Sequence, residues 1–409
     1  MSADVVLHAL GLEEFQLLEV VENKEEATLE VHVYRPDAKR RCPVCGSQEV
    51  VKRGRVQRRA QTVPLGAFRI VFVVFHLHRL YCRACDRTLT ERVEMLRGKN
   101  RWTVQLAEQV LELVDKMNLQ SIAWYLRMSW DTVKKIHAQW LRHKARQRYK
   151  DLSALRYLAI DELAIRKGHR YVTVVLDLER RRPVWVGKGR GNKALEPFYK
   201  LLAHRGIAPV AVAMDMWPTY TELTMKYFPS ALIVYDRFHI VANANKALDE
   251  TRRLLAREAD ILEAKAIKGT RWVLLRNAER LANNPKAQEK LQLVARFNEP
   301  LYHAYLLKEQ LRELWDTCRN DFEARDYLHD WIQQATSSSV YPMVRFARTI
   351  AAHRCGILNW FSCRISTGPL EGLNNKIKVL KRNAYGYRDR AYFTLRILFI
   401  NEAKHVFVG

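Results

Sequence analysis

Two periods govern the hydrophobic positions of this chain, and the switches between them mark out its elements. In the middle of the chain the apolar runs are short and end on acidic residues. Tyr157-Leu-Ala-Ile stops at Asp161, and Val210-Ala-Val-Ala-Met stops at Asp215. Runs of this length, bounded by turn residues, read as buried strands. Arg170-Tyr-Val-Thr-Val-Val-Leu-Asp177, the polar stretch 178–182 and Pro183-Val-Trp-Val186 read as a hairpin. After the loop Gly187-Lys-Gly-Arg-Gly191, helices are predicted over 193–203 and 219–227, with a strand at Ala231-Leu-Ile-Val-Tyr235. The glycine loop lacks GxGxxG spacing and reads as a flexible turn, not a dinucleotide fingerprint.

The flanking regions follow other patterns. Residues 15–35 read as strands, with alternation in Ala27-Thr-Leu-Glu-Val-His-Val-Tyr34, and a further strand covers 68–77. Helical periodicity appears over 103–117 and 120–126. After a turn at Met128-Ser-Trp130 it reappears from Asp131, the expected cap, to about 143, with Val133, Ile136 and Trp140 inward. Residues 246–340 are helical almost throughout, interrupted at Asn283-Asn284-Pro285 and Glu299-Pro300. A basic helix then runs over 370–382, and an apolar one over 392–400.

Composition adds the partner. Lys and Arg total 69 against 44 Asp and Glu in 409 residues, a formal net charge of +25. Neutralising phosphates with such an excess releases counterions, so nucleic acid is the default partner; an anionic membrane surface is the other reading. The longest apolar stretches, such as Ile70-Val-Phe-Val-Val-Phe75, are too short to span a bilayer. Glu13, Glu14 and Glu19 stand where a signal peptide would be apolar, so a cytoplasmic protein is expected.

Of seven cysteines, Cys42-Pro-Val-Cys45 and Cys82-Arg-Ala-Cys85 form two knuckles, which predict a closed four-cysteine zinc ribbon with one structural Zn2+. Incidental or redox pairs are the alternative. Cys318, Cys355 and Cys363 read as core thiols. His76 and His78 alternate with Phe75 and Leu77 and read as solvent-facing strand residues, not ligands. Around the ribbon, Arg53, Arg55, Arg58 and Arg59 suggest a phosphate-tracking surface. The helices that follow read as a helix-turn-helix that would present Thr132, Lys134, Lys135 and His137 to DNA; a plain helical hairpin is the alternative.

The carboxylates carry the chemistry. The order of three strands, a helix, a strand, a helix and a strand is that of a ribonuclease H-like domain, whose first and fourth strands are neighbours. Asp161 and Asp215 then face each other. Glu371, on the basic helix, can join them to hold a pair of Mg2+ or Mn2+ ions. Glu162 would point to the opposite side if the strand persists. Lys376, Lys378, Lys381 and Arg382 would grip DNA beside that site, and Asn374 and Asn375 could hydrogen-bond backbone or metal-bound water.

The motifs Ala159-Ile-Asp-Glu-Leu-Ala-Ile-Arg-Lys-Gly168, Ala213-Met-Asp-Met-Trp-Pro-Thr-Tyr220, Asp236-Arg-Phe-His-Ile240 and Ser366-Thr-Gly-Pro-Leu-Glu-Gly-Leu-Asn-Asn-Lys376 resemble those of the ISL-three (ISL3) family of bacterial insertion-sequence transposases. The resemblance covers essentially the whole chain. It implies DDE chemistry by Asp161, Asp215 and Glu371, acting on double-stranded DNA at terminal inverted repeats and target sites. By analogy with other transposases that carry a helical insertion, His239 would approach the scissile phosphate or a carboxylate, with Asp236 orienting it. A structural His–Asp pair is the alternative. A homodimer is expected because two ends must be held together, and a bacterial origin would make the protein nucleoid-associated.

The expected fold is multidomain α+β. A β-rich zinc-ribbon region covers 1–95 and a helix-turn-helix 96–150. A ribonuclease H-like catalytic domain in two parts, 151–245 and 341–409, is split by an all-helical insertion over 246–340. The rival readings are a non-catalytic DNA-binding regulator and a nuclease that cuts without joining.

Overall fold

The computed structural model describes residues 3–166, 170–384 and 386–401. Lys167 and Gly168 of the first motif, and residues 402–409 of the last expected segment, lie outside the described residues. The chain forms two compact units, one reaching to Lys144 and the other running from Ala145 to Asn401.

In the first unit a short helix, α1 (Ala3–Ala9), precedes strands β1 (Gln16–Asn23), β2 (Thr28–Tyr34), β3 (Val50–Thr62), β4 (Ile70–Cys82) and β5 (Arg87–Thr90). They form a mixed sheet in the order β1-β2-β4-β3, with β5 paired to β4. Period-two alternation puts Leu29, Val31 and Val33 of β2 beside Val71, Val73, Phe75 and Leu77 of β4 on one buried face, covered by Val6, Leu7 and Leu10. His76 and His78 take the other face, but they are half-buried where solvent exposure was expected. The reason is their neighbours: His76 meets His32 and Gln57, and His78 lies 3.6 Å from the buried Glu91 carboxylate.

Three helices follow: α2 (Val104–Val114), α3 (Leu119–Tyr125) and α4 (Trp130–Lys150). Thr103 and Asn118 accept backbone N–H bonds at the starts of α2 and α3. At the start of α4 the Ser129 hydroxyl, and not Asp131, accepts the Thr132 N–H at 3.2 Å, because the helix already begins at Trp130. The turn before it passes through Arg127 with a left-handed φ of 51°. Leu106, Val110, Ile122, Leu126, Val133 and Ile136 make the shared core. The helix also runs well past residue 143, since its Arg, Lys and Gln residues are good helix formers and nothing breaks it.

The second unit opens with β6 (Tyr157–Arg166), β7 (Arg170–Asp177) and β8 (Arg182–Lys188). These are followed by α5 (Asn192–His204), β9 (Ala211–Met214), α6 (Pro218–Tyr227) and β10 (Leu232–Tyr235). The strand order is β10-β9-β6-β7-β8, with β9 parallel to both β6 and β10 and the β6-β7-β8 ribbon antiparallel. One correction concerns β6. It does not end at Asp161, because pairing with β7 carries it on through Asp161↔Val174, Glu162↔Thr173 and Leu163↔Val172.

Helices fill the remainder: α7 (Arg237–Glu258), α8 (Ile261–Ile267), α9 (Arg271–Leu274), α10 (Ala278–Leu281), α11 (Pro285–Phe297), α12 (Glu299–Thr317), α13 (Asp321–Ser337), α14 (Tyr341–Ala352), α15 (Arg354–Cys363), α16 (Gly368–Asn383) and α17 (Arg390–Leu398). The breaks seen in the sequence are helix starts, with Asn284 and Asn298 capping α11 and α12 ahead of Pro285 and Pro300. The helical region starts earlier than residue 246, since α7 leaves β10 directly and runs unbroken to Glu258. After Tyr341 the chain returns as helices: α15 packs on β10, α16 on β6 and α17 on β8.

Two glycines permit close packing. A Cβ on Gly187 of β8 would sit 2.1 Å from the Ala194 carbonyl oxygen of α5. On Gly356 of α15 it would sit 2.4 Å from the Tyr235 ring. Asn359 of the same helix donates to the Ile233 carbonyl at 2.8 Å, so α15 both covers and hydrogen-bonds the edge strand β10. Gly356→Ala is expected to destabilise the protein by about 1–3 kcal/mol, the usual range for overpacking, and denaturant unfolding followed by tryptophan fluorescence would measure it.

Candidate active site

Strand register positions the two aspartates. β6 pairs with β9 as Tyr157↔Ala211, Leu158↔Val212 and Ala159↔Ala213. Two residues further on come Asp161, still within β6, and Asp215, just past the end of β9, on neighbouring parallel strands whose usual spacing is about 4.8 Å. Each carboxylate is held by the backbone N–H of the next residue: Glu162 donates to Asp161 Oδ1 and Met216 to Asp215 Oδ1, both at 2.7 Å. His239, in the first turn of α7, places Nδ1 3.6 Å from Asp215 Oδ2.

Helix α16 supplies the rest. Its Leu370, Leu373 and Ile377 are buried, which turns Asn374 inward beside them while Glu371 remains exposed. Asn374 Nδ2 donates to Asp161 Oδ2 at 2.7 Å. Glu371 lies three residues earlier, one turn along the helix and on the same side. The start of α16 is anchored separately. Thr367 donates its hydroxyl to Asp236 Oδ2 at 2.7 Å, with both residues buried. Asp236, just past β10, is also fixed by its N–H to the Met214 carbonyl at 3.0 Å. The Asp236 carboxylate therefore ties the Glu371 helix to the sheet, a role the motif spacing gave no hint of.

Because β6 persists, Glu162 points to the opposite face from Asp161. It accepts from the Tyr220 hydroxyl at 2.7 Å, and that hydroxyl also meets Thr173 Oγ1 at 3.0 Å and the Gly191 N–H at 3.3 Å. Burial pushes the Glu162 carboxyl above its ordinary range, opposed by the Tyr220 bond and by Arg190. Burial likewise raises Asp161, against the pull of the Glu162 N–H, His239 and Asn374.

Among the described residues only the four cysteines bring three or more ligand atoms within 4.8 Å of one another. Asp161, Asp215 and Glu371 are more widely spread. A pair of cations about 3.5–4 Å apart needs a wider donor set than a single ion does. The donors are carboxylate oxygens, suited to hard divalent cations, and Asn374, bonded to Asp161, has a buried Oδ1 without a hydrogen-bond partner. The donor chemistry, rather than any close clustering of the three acids, is what suits such ions.

In the first unit the pairing Val50↔Cys82 closes the two knuckles on each other. Cys42 and Cys85 sulfurs are 3.9 Å apart, and those of Cys45 and Cys82 3.6 Å. A tetrahedral zinc site with Zn–S bonds of about 2.3 Å has edges of about 3.8 Å, so the four thiols fit Zn2+. Backbone N–H groups of Cys45 and Val44 pull the Cys42 thiol down to about 6, whereas hydrogen bonding to Cys45 and burial push Cys85 up to about 12.

The basic residues separate into two groups. Arg58 is spent on the Gly98 and Asn100 carbonyls, and Arg59 on Glu30 and the Phe72 ring. Arg53, Arg55 and Arg59 are all exposed, Arg53 lying over the Tyr81 ring. On α4, Lys135 is exposed and Thr132 and Lys134 are half-exposed, the Thr132 hydroxyl meeting Ser129 and Lys134 lying over Trp130; His137 is buried and faces inward. On α16, Lys378, Lys381 and Arg382 line a groove of about 510 Å3 floored by Leu163, Ile165 and Ile377. Lys376 points elsewhere, to Asn401 at 3.2 Å. No helix among the described residues is long and apolar enough to cross a membrane.

The class of protein is a transposase: residues 158–397 match the ISL3 family model described by that word. The chain is 34% identical over 386 residues to the transposase for insertion sequence element IS1001 of Bordetella parapertussis, covering 93% of this chain and 94% of that protein. It is 29% identical over 376 residues to the transposase for insertion sequence element IS1557 of Mycobacterium tuberculosis strain H37Rv, covering 86% and 83%. The chain belongs to the ISL3 family of insertion-sequence transposases.

The raised Asp161 has a measurable consequence. A carboxyl whose folded pKa lies above its unfolded value favours folding at low pH and loses that contribution as pH rises through the folded pKa. At neutral pH ionised Asp161 therefore costs stability. Asp161→Asn is expected to raise the melting temperature in EDTA at pH 7 by a few degrees, with the gain shrinking as pH falls into the carboxylate range.

Proposed function

We propose that this protein is a DDE transposase that binds the terminal inverted repeats of an insertion sequence, cleaves DNA there and joins the freed 3′ hydroxyl to target DNA. The observation that supports this reading is the register of β6 with β9, together with the bond from α16 to Asp161. Asp161 and Asp215 stand on neighbouring strands there, and α16 brings Glu371 along through its Asn374–Asp161 contact. The strand order with helices on the sheet supports a ribonuclease H-like catalytic domain. The four-cysteine cluster and the three helices after it support a zinc ribbon and a helix-turn-helix.

Asp161, Asp215 and Glu371 would hold two Mg2+ or Mn2+ ions. Bound there, such ions activate the attacking hydroxyl and stabilise the leaving oxygen. The protein's own groups set the geometry. Backbone N–H groups orient the two aspartates, and Asp236 and Thr367 fix the helix that carries Glu371. His239, beside Asp215, can orient that carboxylate or meet a scissile phosphate. Lys378, Lys381 and Arg382 bring positive charge to the same helix, so that grip on the DNA backbone and chemistry share one element. Arg53, Arg55, Thr132, Lys134 and Lys135 would contact DNA from the first unit, and a dimer would hold the two ends.

Two tests follow from this reading. Labelled DNA carrying the element's terminal repeat should be cut at the repeat boundary by the wild type with Mg2+ and not by Glu371→Gln. Equal binding without cleavage by either protein would favour a DNA-binding regulator, and cleavage without joined products a nuclease. Metal analysis should find one zinc per chain, lost together with thermal stability in Cys82→Ser; a zinc-free, equally stable wild type would remove the ribbon.

A further inference from the structure

The setting of Asn374 is unusual for a helix asparagine. The residue is only 8% exposed, its Nδ2 donates to Asp161 Oδ2 at 2.7 Å, and its Oδ1 is buried with no hydrogen-bond partner. A buried amide carbonyl without a partner gives up its hydration and gains no hydrogen bond in return. Turning the amide over would gain nothing, because it would set oxygen against the carboxylate. The contact to Asp161 therefore leaves Oδ1 unsatisfied next to the Asp161 carboxylate. Amide oxygens are hard donors of the kind that magnesium and calcium sites use.

We propose that Asn374 is a further oxygen donor to the divalent-cation site at Asp161, with Nδ2 fixing the carboxylate and Oδ1 turned to the ion. The proposal rests on the reading that Asp161, Asp215 and Glu371 hold divalent cations. Its neighbour Asn375 is exposed and takes no part. One helix then supplies both Glu371 and Asn374, three residues apart on one face, so docking α16 on β6 completes the donor set in a single step.

A purely structural amide makes a different prediction. Losing a partner that only steadied Asp161 weakens cation binding too, and Asn374→Asp, which loses Nδ2 and sets a second carboxylate against Asp161, would then weaken it as much as an apolar residue does. If Asn374 is a donor, the Asp carboxylate replaces it and only the apolar residue weakens binding. The test is Mn2+ binding to zinc-loaded, full-length protein by electron paramagnetic resonance, with zinc content and melting in EDTA as folding controls. Asn374→Leu should weaken Mn2+ binding about 10–100-fold, the range for groups that support a metal site. Asn374→Asp, which keeps an oxygen and adds charge, should bind at least as tightly as the wild type and show a larger stabilisation by Mn2+. If Asn374→Leu does not fold, Asn374→Ala replaces it in the same comparison. Wild-type affinity in the apolar variant, or equal losses in the apolar and Asp variants, would overturn the proposal. Asp161→Asn separates the two levels: if it binds Mn2+ like the wild type, the cation reading itself fails, and the role of Asn374 fails with it.

Discussion

Two side-chain hydrogen bonds fasten α16 to the sheet, and the arrangement of the second unit depends on them. Thr367 donates to Asp236 at the start of the helix, and Asn374 donates to Asp161 two turns further on. Both acceptors are carboxylates, so the bonds are stronger than bonds between neutral groups and costly to break where buried. Thr367 gives up its usual chance to cap the helix in order to make this contact. Between the two fastenings Leu370 and Leu373 pack inward, and Glu371 remains exposed.

The arrangement sets stability against function. A carboxylate buried like Asp161 is penalised by desolvation, and its partners offset that only in part. An unsatisfied amide oxygen beside it adds to the cost. Such costs concentrate at functional sites. The surroundings of these groups are well packed: β10 is covered by α15, whose Gly356 admits Tyr235 at close range, and Gly187 lets α5 approach β8 in the same way.

The cationic side chains follow a related division. Several arginines that look like a DNA-binding run in the sequence have intramolecular work, among them Arg58 on backbone carbonyls and Arg59 on Glu30 and Phe72. Others stay exposed. Lys378, Lys381 and Arg382 recur at spacings of three and four, which puts them on one helix face beside the groove at Leu163 and Ile165. Net charge points to a polyanionic partner, and only side-chain placement tells which charges are available to it.

The sequence alone determined what local rules govern. Apolar runs ending at Asp161 and Asp215 named two strands and their acids, paired cysteines named the metal-ligand cluster, and prolines after asparagine marked helix starts. Periodicity sufficed there because strand alternation, chelating turns and caps are set by neighbours in the chain. The tertiary structure decided what depends on partners distant in sequence. Pairing with β7 extends β6 past Asp161, which sends Glu162 to Tyr220 on the other face. His137 is drawn into the interior because α4 packs that side inward. Asp236, close to His239 in sequence, answers instead to Thr367, and Asn374 to Asp161, across separations of 131 and 213 residues. No local pattern encodes such pairs, because a hydrogen bond between remote residues exists only once the intervening helices have folded and brought them within reach.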